Sequence, residues 1–81
     1  EKRENSPKYI DEAIQKGFNV EIDVWYKNCT FYLGHDKPSY VVDENYITNK
    51  KFWCHAKNIE AMEALKKLIQ IFFGTKMMMW F

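Results

Sequence analysis

The sequence is poor in cysteine, in long apolar runs and in net charge, and each shortage excludes a class of protein. It has two cysteines, Cys29 and Cys54, without the Cys-x-x-Cys spacing typical of zinc or redox sites. We expect two free thiols, with one structural disulfide as the alternative. No apolar run approaches the roughly 20 residues of a membrane helix. Twelve basic and eleven acidic residues leave a net charge of +1, so neither nucleic acid nor anionic lipid is an expected partner.

The polar start of the chain and its small size set two further expectations. The first five residues are charged or polar, unlike a signal peptide, so we expect a soluble, cytoplasmic protein. At 81 residues and 9.8 kDa the chain holds one small domain at most. Its hydrophobic fraction of 47% and aromatic fraction of 17% are typical of a piece of a larger core rather than of a disordered tail.

Two periodicities alternate along the chain. Ser6 before Pro7 predicts a helix over about 7–16, and Asn58 is predicted to cap a second helix. Residues alternating with a period of two predict strands, and a short apolar run predicts a further core strand: 20–25, 30–34, 52–57 and 69–73. The first two form a hairpin-like excursion, and 39–51 is predicted to be a loop with one short helical turn. This order predicts an α/β fold with parallel strands and outer helices.

Two carboxylates lie on one face of the first predicted strand. Glu21 and Asp23 are two residues apart, so their side chains project about 7 Å from each other, close enough to converge on one cation. If helices cover the aliphatic opposite face, these carboxylates point into a barrel interior, where charge must be paired or coordinated. The alternative interpretation is an edge strand with one solvated face.

Other polar residues are predicted to share this space. His55 and Lys57 lie on one face of the 52–57 strand and offer a metal ligand and a phosphate-seeking cation. His35 directly follows Gly34 and can approach a leaving group, although a plain surface position is the alternative. Trp25 shares the face of the carboxylates and is predicted either to wall the alcohol portion of a substrate or to pack as an ordinary core residue.

Three short segments carry a family resemblance. Residues 4–7 (Glu-Asn-Ser-Pro), 20–24 (Val-Glu-Ile-Asp-Val) and 34–36 (Gly-His-Asp) resemble the Glu-Asn-Thr, Glu-x-Asp and His-Asp pattern of the glycerophosphodiester phosphodiesterase family. The resemblance implies a partial (β/α) TIM-type barrel with parallel strands and outer helices. It also implies hydrolysis of a glycerophosphodiester to glycerol 3-phosphate and an alcohol.

The resemblance also implies roles for individual residues. Glu21 and Asp23 correspond to ligands of a divalent metal, Mg²⁺ or Ca²⁺, and His35 to the acid/base catalyst. A later family strand reads Glu-x-Lys, and His55 and Lys57 occupy those positions, so that a histidine replaces a carboxylate. Ligation by His55 would favour Mn²⁺, and Lys57 would bind phosphate.

Parts of the family pattern have no counterpart in the 81 residues. The His-Arg-Gly strand would precede Glu1, and a full barrel needs about 250 residues. We therefore expect part of a phosphodiesterase or, as the alternative, a truncated noncatalytic fragment that binds at most a metal or a partner.

The end of the chain is predicted to be out of frame. Restoring one T before the codons of residues 74–81 allows Trp-His-Gln-Asn-Asp-Asp-Val-Val, and Trp-His-Gln resembles a segment of a divergent family branch. We expect a partial phosphodiesterase-like domain over 1–73 and a frameshifted tail over 74–81. A genuine Met-rich apolar end is the alternative.

Overall fold

The computed structural model describes residues 5–49, 51–71 and 76–78. Helices and strands alternate in the order α1 Pro7–Gln15, β1 Val20–Lys27, β2 Thr30–Leu33, β3 Tyr40–Val42, α2 Glu44–Ile47, β4 Phe52–Ala56, α3 Ile59–Ile71 and β5 Lys76–Met78. The predicted first helix and the strands at β1, β2 and β4 are confirmed. In this part of the chain, no helix is long and apolar enough to cross a membrane.

The strands form one mixed sheet in the order β3-β2-β1-β4-β5. β1 and β2 pair antiparallel across a tight turn in which Asn28 and Cys29 both adopt positive φ, 51° and 61°, as a type I′ hairpin turn requires. β1 runs parallel to β4, and β4 runs parallel to β5. The predicted α/β class, the parallel pairing of β1 with β4 and the hairpin are confirmed, and the sheet is mixed because β2 and β3 run antiparallel to their neighbours. The described strands do not close into a barrel.

One face of the sheet, here called the aliphatic face, packs against the helices. Ile22 and Val24 point to this side from β1 and are fully buried. All three helices contribute to the same core, whose buried residues are Ile10, Ile22, Val24, Phe31, Leu33, Ile47, Phe52, Cys54, Ala56, Ala61, Leu65 and Leu68. Because side chains alternate along a strand, alternate residues of β1, from Glu21 to Trp25, and of β4 point to the opposite side, here called the polar face: Glu21, Asp23, Trp25, Trp53 and His55.

Two predictions between residues 39 and 73 need correction. The strand predicted over 69–73 is wrong for its first part, because α3 continues through Ile71; residues 72 and 73 lie outside the described residues. A short apolar run has no period that separates a strand from the end of a buried helix. The loop predicted over 39–51 contains the expected helical turn as α2, but also the three-residue strand β3, which is too short to give a pattern.

The segment predicted to be a frameshifted tail contributes a strand. Lys76–Met78 forms β5, whose backbone pairs with Trp53, Cys54 and His55 of β4. A strand therefore follows α3 beside β4, later in the chain than predicted. The frameshift itself stays a prediction, and residues 74, 75 and 79–81 lie outside the described residues.

Candidate functional site

A buried carboxylate, Asp23, lies at the centre of the polar face. It is 7% exposed, and its Oδ2 accepts a hydrogen bond from Asn5 Nδ2 at 3.0 Å. Its backbone N–H donates to Asn5 Oδ1 at 2.9 Å. On the other side, Asp23 Oδ1 lies 3.1 Å from His55 Nδ1. Since an ionised carboxylate only accepts hydrogen bonds, His55 donates here from Nδ1.

The sheet register and the start of α1 bring these three residues together. Asp23 and His55 are direct partners in the parallel β1–β4 ladder, so their side chains lie side by side on one face. Asn5 precedes the first turn of α1, where the Ile10 N–H donates to the Ser6 carbonyl at 2.9 Å. Because Ile10 is buried in the core, α1 packs against β1. This packing places Asn5, which directly precedes the helix, within hydrogen-bonding distance of Asp23.

The three predicted metal ligands are only partly brought together. Asp23 and His55 are in contact, whereas Glu21 is exposed on the same face, in register with Trp53. Within the described ranges, no group of three or more His, Cys, Asp or Glu side chains is placed to hold a metal ion. His55 is therefore seen as a partner of the Asp23 carboxylate, and its metal ligation stays a prediction.

The carboxylate oxygens of Asp23 and Glu21 are ligands of the kind that a hard divalent cation prefers, and the binding of a cation stays a prediction. Each carboxylate oxygen has two lone-pair directions, and the hydrogen bonds from Asn5 and His55 use one on each oxygen of Asp23. Asp23 therefore keeps capacity for a further ligand bond, and Glu21 lies two residues away on the same face. Mg²⁺ is commonly bound by one or two carboxylates while water fills its other positions.

The predicted catalytic histidine lies at the edge of this face. The His35 side chain is 63% exposed, and its Nδ1 lies 3.0 Å from Asp36 Oδ1. His35 and Asn5 both line an open concavity of about 320 Å³. The Gly34 N–H donates to the Asp23 carbonyl at 3.2 Å, so the backbone beside His35 is tied to the residue at the centre of the face.

Two features hold the loop that carries His35. Trp25 Nε1 donates to the Gly34 carbonyl at 2.7 Å, which makes the predicted substrate wall an anchor of this loop; a contact of Trp25 with substrate stays a prediction. A side chain at Gly34 would clash with the backbone carbonyl of Lys37, so the tight path of the loop requires glycine.

Lys57, the predicted phosphate ligand, directly follows β4. Its backbone N–H donates to the Val24 carbonyl at 2.8 Å, and the residue is partly buried. This bond continues the β1–β4 ladder by one position and fixes the backbone of Lys57 beside His55. Binding of phosphate by its ammonium group stays a prediction.

Sequence reasoning missed Asn5 as a site residue. The available signal was its position in the Glu-Asn-Ser-Pro segment that carries the family resemblance. Asn58 was correctly predicted as a helix cap, since its Oδ1 accepts from the Ala61 N–H at 2.8 Å. Its bonds to the backbone of Tyr26, at 3.3 Å and 3.2 Å, were not predicted.

Both cysteines are free, as expected, and they differ in exposure. Cys29 is exposed in the hairpin turn, and Cys54 is buried in the aliphatic face. Burial raises the pKa of the Cys54 thiol from 9.0 to about 12. Because the thiolate is the reactive form, the burial of Cys54 and the raised pKa of its thiol favour a packing role over nucleophilic chemistry.

Comparison with known proteins finds no matching family model, no matching curated protein and no matching solved structure. A function for the chain therefore has to be inferred from the residues of the polar face and of the His35 loop.

Proposed function

We propose that the polar face is the cation- and phosphate-binding part of a metal-dependent phosphodiesterase site, which hydrolyses glycerophosphodiesters to glycerol 3-phosphate and an alcohol. The observation that carries the proposal is the burial of Asp23 on the polar face, opposite the core that the helices form. Asp23 is 7% exposed, and its carboxylate lies between Asn5 and His55. Burying a charged carboxylate is costly unless it is paired or hydrogen-bonded.

Glu21 and Asp23 are the residues that would hold the cation, Mg²⁺ or Ca²⁺, with Mn²⁺ favoured if His55 also ligates. When bound, the cation neutralises charge on the phosphoryl oxygens. His55 donates to Asp23 Oδ1, which fixes the orientation of the carboxylate. Lys57 follows His55 by two residues, and its ammonium group would stabilise negative charge on a nonbridging oxygen.

His35 supplies the proton for the leaving alcohol. Asp36 Oδ1 accepts from Nδ1 at 3.0 Å, which orients the ring and leaves Nε2 of the protonated ring to donate. As water attacks phosphorus, the bond from phosphorus to the alcohol oxygen breaks, and that oxygen takes the His35 proton. The proton that the attacking water loses is released to solvent, from which His35 is protonated again. Trp25 would pack against the alcohol portion of the substrate.

A second candidate is binding of a divalent cation or a partner without turnover. The observation in its favour is the position of His35, whose side chain is 63% exposed to solvent, where a catalytic acid gains little from its surroundings. The 81 residues also contain no His-Arg-Gly sequence, so turnover by this chain is expected to be slow.

Release of choline from glycerophosphocholine, measured with Mg²⁺, Ca²⁺ or Mn²⁺, separates the two candidates. We expect slow turnover that EDTA abolishes and that Asp23→Asn and His35→Ala both remove. The matched control is Glu12→Gln, which neutralises an exposed carboxylate of α1 and should leave turnover unchanged. Cation binding without any turnover would favour the second candidate. Turnover that survives Asp23→Asn would contradict the proposed site.

A further inference from the structure

The side chain of Asn5 is hydrogen-bonded to Asp23. It is 4% exposed, and among the described residues both of its hydrogen bonds end on Asp23, one on the carboxylate and one on the backbone N–H. A buried amide has to be hydrogen-bonded to offset its desolvation. Asn5 meets that need entirely with Asp23, so the two residues form one unit.

The two bonds fix the side-chain orientation of Asp23. Asn5 Oδ1 holds the Asp23 backbone while Asn5 Nδ2 holds Oδ2, and rotation about the Asp23 Cα–Cβ bond would break the second contact while keeping the first. Asp23 Oδ1 is thereby directed toward His55 Nδ1, 3.1 Å away. The contact between Asp23 and His55 in turn keeps the proton of neutral His55 on Nδ1.

We infer that Asn5 is a positioning residue, which holds the Asp23 carboxylate in the orientation used for cation binding and sets the tautomer of His55. For the cation, this inference rests on the proposed function. The tautomer of His55 is independent of any cation, so the two ideas can fail separately.

A second asparagine provides a matched control. The Asn58 amide brackets the backbone of Tyr26 near the other end of β1, with Oδ1 accepting from its N–H and Nδ2 donating to its carbonyl. Asn58 therefore resembles Asn5 in chemistry and in its attachment to β1, but among the described residues none of its hydrogen bonds is to a carboxylate. Loss of Asn58 should weaken the fold without altering Asp23 or His55.

The test uses the ¹⁵N-labelled chain at pH 8 without cations, with ring ¹H–¹⁵N correlations reporting the tautomer of His55. We expect the Nδ1–H form in the wild type and in Asn58→Ala. In Asn5→Ala the Nε2–H form should rise to at least half of the population. A Mn²⁺ titration of the same samples should give at least tenfold weaker binding for Asn5→Ala than for the wild type, with Asn58→Ala unchanged.

Other outcomes overturn one idea or the other. An Nε2–H His55 in the wild type, or an unchanged tautomer in folded Asn5→Ala, would overturn the inference about Asn5. Asn5→Ser, which keeps a polar group near the Asp23 N–H, replaces Asn5→Ala if the latter unfolds. Unfolding of both variants while Asn58→Ala stays folded would show a purely structural role. A wild type with the expected tautomer and no Mn²⁺ binding would overturn the proposed cation site and the cation-binding role of Asn5, but not its control of the tautomer.

Discussion

The two faces of the sheet are built from the same strands but are covered by different means. On the aliphatic face, Ile22 and Val24 are fully buried under a core to which all three helices contribute. On the polar face, Asp23 is nearly as buried, yet Glu21, two residues away, is exposed. Asp23 is sheltered by specific polar partners, Asn5 and His55. We therefore expect the aliphatic face to account for most of the stability. On the polar face, the hydrogen bonds of Asn5 and His55 hold one group, the Asp23 carboxylate.

The largest expected loss of stability comes from truncating a side chain that is buried in the core of the aliphatic face. Leu65→Ala removes a fully buried side chain of α3, and such truncations cost about 2–5 kcal/mol of unfolding free energy. Urea denaturation followed by circular dichroism measures this cost. The exposed neighbour Lys66→Ala should change stability by less than about 0.5 kcal/mol. Equal effects of the two substitutions would contradict the assignment of the core to this face.

A smaller effect is expected on the polar face, and it should separate its two carboxylates. Asp23→Ala leaves the Asn5 amide and the His55 N–H without their acceptor, at a cost of about 1–3 kcal/mol. Glu21→Ala removes an exposed carboxylate and should cost less than about 0.5 kcal/mol. Comparable urea midpoints for the two variants would show that burial of Asp23 is not the distinguishing feature.

The smallest expected effect is a loss of stability at alkaline pH, which originates in the aliphatic face. Burial raises the pKa of Cys54 from 9.0 to about 12, so between these values the unfolded chain loses a proton that the folded chain keeps. The free energy of unfolding should then fall with pH, at most by about 1.4 kcal/mol per unit from this group. Urea titrations at pH 8 to 10.5 measure the slope.

Cys54→Ala is the control for this slope. It should reduce the slope without abolishing it, because burial, together with Asp11, also raises the pKa of Tyr46 above its usual 10.0. An unchanged slope in Cys54→Ala would argue against a titrating thiol in the core.

Local patterns predicted the two faces well. The alternation in β1 placed Glu21 and Asp23 on one side and the aliphatic residues on the other, and the matching alternation in β4 placed His55 on the same side as Asp23. Parallel pairing then makes Asp23 and His55 neighbours. These predictions succeeded because a strand of regular period determines which side chains share a face.

Contacts that depend on tertiary structure were not predictable in this way. Asn5 meets Asp23 across 18 residues, and its irregular segment has no period from which a partner can be inferred. The continuation of α3 through Ile71 was not predicted, because a short apolar run has no period that separates a helix from a strand. The pairing of β5 with β4 also depends on which strands come together in the folded chain, and the local sequence pattern does not indicate this.

The position of Val24 in two ladders has a consequence for the order of folding. Val24 pairs with Leu33 across the hairpin and with Ala56 in the parallel ladder. Hairpins form in about 1–10 μs, whereas distant parallel pairing is slower because a long loop must close first. We therefore expect the β1–β2 hairpin to pair before β4 joins the sheet, with its apolar side uncovered until Ala56 pairs with Val24. Asp23 and His55, 32 residues apart, therefore meet only when β4 joins the sheet.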